Sequence, residues 1–233
     1  MALIGIIVVL SISLFAYGYF NGRSGLHPNP SPEENDIRIA CVGDSITYGS
    51  TVTNWPKNNY PVLLDSLLGD GYTVCNYGVS GVTLLSTGDK PYVNTSVYAD
   101  SIAFAPDIVI IMLGTNDSKL NNWTNEADFE NQLVALIQAY MNLETMPTVF
   151  LCTPCKAYSD IYKIQESEVS KIVKIVRNVS QQNNIPIIEI RELSEAHPEW
   201  FAKDGVHPNN NGAAAIAQTV YEALLKETKE NNK

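Results

Sequence analysis

The chain reads as an α/β domain in which a parallel sheet is covered by helices on both faces. Three observations carry this. Short apolar runs alternate with longer amphipathic stretches, the pattern of repeated strand–helix units. The middle run, Asp107 to Leu113, is apolar almost throughout, as a strand buried on both faces requires. The residues able to carry chemistry stand just after such runs, at the edge where open α/β sheets collect their sites.

The elements follow in order. Ile37 to Val42 is a short apolar run ended by Gly43, and predicts the first strand. Tyr60 to Leu68 has helical spacing, and Tyr72 to Asn76 is the second strand. Asp107 to Leu113 is the third. Asn125 to Leu143 predicts a helix with Thr124 as its N-cap. Thr148 to Cys152 is the fourth strand. Ile161 to Asn183 predicts a long amphipathic helix with Ile164, Val169, Ile172, Val173, Val176 and Val179 on its apolar face. Ile185 to Ile190 is the fifth strand, and Asn211 to Leu225 the last helix. The domain is expected at residues 37–225, with a polar tail over 226–233.

The amino terminus stands apart. Ala2 to Phe20 carries no charged side chain. As a helix it would span roughly 28 Å, close to a bilayer core. A signal-anchor and a signal peptide compete for this segment. Its length favours the anchor, with the domain outside the cytoplasm, and cleavage would instead leave it secreted. Residues 21–36, with Pro28, Pro30, Pro32, Gly22 and Gly25, read as a tether.

Composition narrows the function. The 233 residues suit one domain, 45% are hydrophobic, and net charge is -10. Nucleic-acid binding is excluded, because phosphate contact needs a basic face. Acidity also disfavours a polyanionic substrate. The three histidines, His27, His197 and His207, are scattered and complete no zinc pair with the cysteines. No metal and no cofactor are expected. Cys41 and Cys75 fall in strands and read as small core residues. Cys152 and Cys155, with two residues between them, are spaced for a small disulfide loop, and Cys152 also suits core packing.

Four segments together supply the groups that acyl transfer needs. Ser45, in Gly43-Asp44-Ser45, is the candidate nucleophile. A serine hydroxyl needs a base to take its proton. His207 is the histidine within a strand-end motif, and Asp204, three residues earlier, can orient its imidazole or cap the turn. The backbone N–H of Ser45, the backbone N–H of Gly78 and the side-chain amide of Asn116 are the candidate oxyanion donors. Taken singly, Gly78 and Asn116 are ordinary turn residues.

With these residues in order, the chain resembles the SGNH hydrolases, also called the GDSL esterase/lipase family. The matching blocks are Gly43-Asp44-Ser45-Ile46-Thr47-Tyr48-Gly49, Gly78, Gly114-Thr115-Asn116-Asp117 and Asp204-Gly205-Val206-His207-Pro208. The resemblance implies a flavodoxin-like three-layer α/β/α sandwich with a five-stranded parallel sheet, and a metal-independent serine hydrolase. It implies Ser45, Gly78, Asn116 and His207 as signature residues and Asp204 as the third triad member. Compact relatives of this kind act on short acyl groups of carbohydrates, so carbohydrate O-deacetylation is the leading expectation. A lysophospholipase or thioesterase, which a membrane tether would suit, is the alternative enzyme. A glycan-binding module without catalysis is a further alternative. A flavin or nucleotide binder lacks its phosphate loop. Tyr48, Trp55, Trp123 and Trp200 are candidate substrate-binding aromatics, with Tyr92 in a similar region. Oligomeric state is not legible.

Overall fold

The computed structural model describes residues 29–231. Strand β1 (Ile37–Gly43) pairs in parallel with β2 (Tyr72–Gly78) on one side and β3 (Ile108–Met112) on the other. Beyond β3 lie β4 (Thr148–Cys152) and β5 (Ile187–Ile188), giving the order β2-β1-β3-β4-β5 in a five-stranded sheet. This is the flavodoxin-like order, in which the chain's winding reverses between β1 and β3.

Alternation along each strand splits the core into two layers. Ala40, Val42, Cys75, Val109, Ile111, Val149 and Leu151 face helices α4 (Ser96–Ala103), α5 (Glu126–Met141) and α6 (Glu166–Asn183), against Phe129, Leu136, Tyr140 and Ile172 among others. Ile39, Cys41, Ile110, Met112, Phe150 and Ile188 face the other way, onto α3 (Tyr60–Leu68) and α8 (Asn210–Asn231), through Tyr60, Leu64, Ala217 and Val220. Three shorter helices complete the chain: α1 (Ser45–Tyr48), α2 (Trp55–Asn58) and α7 (Ile190–Ala196).

Several boundaries differ from the sequence reading. Helix α5 starts one residue later than expected, and Asn125, not Thr124, is its N-cap; the Asn125 side chain accepts from Asp128 N–H at 2.9 Å. Helix α6 starts at Glu166, five residues after the predicted Ile161. Glu166 and Glu168 in its first turn complement the positive end of the helix dipole. The predicted fifth strand, Ile185 to Ile190, shrinks to two residues, and Ile190 begins α7. Helix α8 continues past Leu225 to Asn231 through the supposed polar tail, where Lys and Glu are good helix formers. Part of the expected tether lies along the outer edge of β2. The Asn29 side chain accepts from Asn76 N–H at 2.8 Å and donates to its carbonyl at 3.2 Å, so it covers an otherwise open strand edge.

All four cysteines are free and buried, Cys152 and Cys155 included. Burial raises the thiol pKa of Cys75 and of Cys155 to about 12, which makes them packing groups. No described helix is long and apolar enough to cross a membrane. The expected anchor or signal segment, residues 2–20, lies outside the described residues.

Two glycines let α1 sit directly on the strand ends. A Cβ on Gly78 would lie 2.2 Å from Tyr48 N, and one on Gly43 would lie 2.7 Å from the Met112 carbonyl oxygen. Backbone cannot yield as a flexible side chain can. Gly78→Ala is therefore expected to lower stability by about 2–3 kcal/mol, a fall of roughly 5–10 °C in Tm. Thermal unfolding of the variant beside the parent measures it, and an unchanged Tm contradicts this packing.

Candidate active site

The site forms at the carboxyl ends of β1 and β3, where the winding reverses. Asp44 follows β1 and N-caps α1; its Oδ1 accepts from Ile46 N–H at 2.8 Å. Ser45 is thus the first helical residue, whose N–H has no acceptor within its own helix. Gly49, at φ +87°, ends the helix after four residues. The short turn presents the Ser45 side chain at the sheet edge.

The partner loop comes from the far end of the chain. His207 Nε2 lies 2.8 Å from Ser45 Oγ, and His207 Nδ1 lies 2.7 Å from Asp204 Oδ2. The Asp204 carboxylate accepts only, so Nδ1 carries the proton and Nε2 keeps a lone pair toward the serine. The Asp204 turn role and orienting role coexist. Its Oδ1 accepts from the N–H groups of Val206 and His207, each at 3.0 Å, while Oδ2 faces the imidazole. Burial pushes the Asp204 carboxyl up, but the His207 and Val206 hydrogen bonds outweigh this and hold it below its usual value. Thr51 Oγ1 donates to the Pro208 carbonyl at 2.8 Å, which ties the two loops together.

The oxyanion donors fall out differently from the sequence expectation. Asn116 lines the cleft, and its buried Nδ2 has no hydrogen-bond partner among the described residues. Such a group is costly to bury unpaired, and is what an incoming oxyanion would satisfy. Gly78 does not fit the donor role. Its N–H is already donated to Asn76 Oδ1 at 2.9 Å, and its Cα is packed beneath Thr47 and Tyr48. Gly81, three residues on, lines the cleft instead, at φ +83° with open space around its Cα. The Asn-Tyr-Gly-Val-Ser-Gly stretch holds two glycines, and sequence alone does not say which reaches the strand-end surface.

The cleft has a volume of about 580 Å³. Ser45, Asn116 and His207 meet there, beside Tyr48. The three tryptophans pack elsewhere. Trp55 supports Tyr48 from behind, with ring centroids 5.0 Å apart and its indole N–H donated to the Tyr48 carbonyl. Trp123 lies against Phe129, and Trp200 stacks on His197 at 3.6 Å. Tyr92 is fully buried and donates to the Tyr77 carbonyl at 2.9 Å. Residues that sequence reasoning missed line the opening: Lys90, Lys119 and Tyr162. The Tyr162 ring stands edge-on to His207 at 5.4 Å, and its hydroxyl lies 3.4 Å from Asp204 Oδ2. Extending α6 back to Ile161 hid it. The paired acidic residues at Glu166 and Glu168 were the signal for the true helix start.

A nucleophile, a base, an orienting acid and a free amide donor in one cleft define a serine-hydrolase arrangement. Residues 41–215 match the GDSL-like lipase/acylhydrolase family. The chain belongs to that family, and the domain is an ester hydrolase by class. It is 36% identical over 213 residues to an acetylxylan esterase of Xylanibacter ruminicola, a match covering 84% of this chain and 44% of that protein. The chain thus spans less than half the length of that relative. In fold it resembles the native aryl esterase of M. smegmatis, with TM-score 0.67 at 20% identity, covering 81% of this chain and 98% of that one. It also resembles a lipase/acylhydrolase from Enterococcus faecalis, with TM-score 0.63 at 24% identity, covering 79% and 93%.

Asn116→Ala is expected to lower kcat about 10²–10³-fold. Because the amide it removes is unpartnered, Tm should move little; a large loss of Tm would assign Asn116 a structural role. Asp204 carries a pH prediction. Its folded pKa lies below its ordinary 3.8, so its stabilising contribution is complete above about pH 4. That contribution is lost as pH falls through the lowered folded value. Tm should therefore drop more steeply on acidification in the parent than in Asp204→Asn, and parallel curves contradict this.

Proposed function

We propose that the protein is a serine esterase that removes short acyl groups, acetyl above all, from carbohydrates through an acyl-enzyme. The observation that carries this is the hydrogen-bonded row Ser45–His207–Asp204 opening onto an unpartnered Asn116 amide. His207 Nε2 takes the hydroxyl proton as Ser45 Oγ attacks the ester carbonyl carbon. The developing oxyanion is held by the Asn116 amide and the N–H groups of Ser45 and Gly81. The carbon–oxygen bond to the alcohol breaks, and His207 returns its proton to the leaving oxygen. Water, activated by the same imidazole, attacks the acyl-enzyme and releases the acid and the free serine.

Two features support a short acyl group on a sugar. The cleft lining is rich in hydroxyls, from Ser50, Thr51, Ser80 and Tyr162, with Ile164 and Val206 as its aliphatic side chains. A long acyl chain needs a continuous apolar wall, which weighs against lysophospholipids and long-chain thioesters. The acetylxylan esterase relative supports the same substrate class. The charge-free segment Ala2 to Phe20 supports action outside the cytoplasm, anchored or secreted.

Hydrolysis of p-nitrophenyl esters from acetyl to long-chain tests the reading. Activity should be highest on acetyl and fall with chain length. Ser45→Ala should lower kcat by several powers of ten. A long-chain optimum would move the substrate to lipids, and full activity in Ser45→Ala would remove the acyl-enzyme mechanism.

A further inference from the structure

Resting on the esterase reading, we propose that the cleft carries an anion-binding subsite made by Lys90 and Lys119, and that its substrate is an acylated saccharide bearing a carboxylate, a sugar acid. The two lysines come from different loops and both line the same opening as Ser45, Asn116 and His207. Among the described residues lining that opening there is no aspartate or glutamate. Neither lysine makes an ion pair among the described residues, although other cations of this chain do, such as Arg177 with Glu189 and Arg191 with Glu166. In a chain with 25 acidic and 15 basic residues, the charged side chains that line this cleft are both cationic.

The position of Lys90 is built. Its Nζ donates to the Ser80 carbonyl at 3.0 Å, and Ser80 Oγ is in turn bonded to Ser50 Oγ at 2.8 Å. This holds the ammonium beside the Gly81 backbone instead of leaving it free in solvent. The neighbouring carboxylate, Asp89, is engaged with Asn122, whose Nδ2 donates to it at 2.9 Å. Burial lowers the Lys90 pKa from its ordinary value, with Asp89 acting the other way. An ammonium with one hydrogen bond in place has further N–H donors to offer. Lys119 follows the Asn116 turn directly, its backbone N–H donating to the Asn116 carbonyl at 3.3 Å, so its side chain starts from a main chain fixed relative to the oxyanion donor.

Two cations flanking one cleft suit a second negative charge on the ester substrate. The hydroxyl-rich lining and the exposed Tyr162 ring at the rim suit a saccharide better than a lipid. A carboxylate on the sugar is the anion that fits both. It is a single local charge, so the protein's overall acidity does not exclude it.

The test uses the full chain and two probes that differ by one charge, 4-acetoxybenzoate and 4-acetoxybenzamide. The readout is the ratio of their kcat/KM values within each variant, which does not depend on how much enzyme is folded. The parent should prefer the anion about tenfold, and 0.5 M salt should shrink that preference. In the double variant Lys90→Gln, Lys119→Gln the ratio should fall toward one. An O-acetylated uronic-acid oligosaccharide should likewise outrun the same oligosaccharide with its carboxyl reduced to an alcohol. Ser45-dependent hydrolysis of both probes at equal rates would overturn the subsite and leave the esterase reading standing. A preference that survives the double variant would also overturn it. No Ser45-dependent hydrolysis of either probe would overturn the esterase reading and the subsite with it. Faster hydrolysis of lysophosphatidic acid than of the acidic saccharide would overturn the sugar-acid assignment.

Discussion

One row of the sheet governs the rest. Gly43 on β1 stands in register with Gly78 on β2 and with Met112 on β3. Parallel strands held in this register end at one level, so the loops that follow them emerge side by side. The two glycines then remove the side chains that would keep α1 off the strand ends. Thr47 occupies the space above Gly43, and the Tyr48 backbone lies on Gly78. The Ser45 backbone is fixed by that close approach. The His207 loop, 162 residues further on, then needs to meet only one rigid point.

Behind this surface lies a layer of buried acids that organise the loops. Asp117 accepts from Leu84 N–H at 3.0 Å and from Leu85 N–H at 2.8 Å. It joins the loop after β3 to the loop after β2, so Asn116 and the Gly81 turn are set against each other. Burial pushes the Asp117 carboxyl up to about 7, against the pull of those two N–H bonds and with the charge of Asp44 adding to the rise. Burial likewise raises Asp44, against the pull of the Ile46 N–H bond. Asn116 Nδ2, on the cleft itself, has no partner among the described residues. An unpartnered polar atom weakens the fold where it stands. Such a cost is found where a site is held ready for a group that arrives later.

The sequence was most informative where one physical rule acted alone. The apolar strand at residues 108–112 and the Tyr60–Leu68 helix follow from periodicity, and the all-parallel sheet follows from their alternation. Ser45, Asn116, Asp204 and His207 follow from short motifs whose residue types have few other uses in that combination. Legibility failed where neighbours decide. Ile185 to Ile190 looked like one apolar strand, but only two of its residues pair with β4 before α7 begins. Gly78 and Gly81 are alike in sequence, and only the packing of α1 separates a glycine that supports a helix from one that opens on a cleft. The tryptophans misled because aromatic residues near strand ends serve packing as readily as binding. Lys90 and Lys119 left no local signature, since their common address is made by two loops that the sheet brings together.

The overall acidity of the chain and the cations in its cleft act on different length scales. At physiological salt a charge is screened over about 8 Å. A net charge of -10 therefore repels a long polyanion that must lie along the surface, but it hardly reaches a small group already inside a walled cleft. There the nearest charges decide, and those lining the cleft are the ammonium groups of Lys90 and Lys119. The same separation protects the chemistry. Asp204 sits behind His207, with both oxygens bound to that loop, so its negative charge is directed at the imidazole and partly neutralised by three N–H donors. A carboxylate placed in the cleft itself would oppose the oxyanion that the reaction must form. Keeping Asp204 behind the histidine and the cations in front lets a single small cleft stabilise imidazolium and oxyanion together.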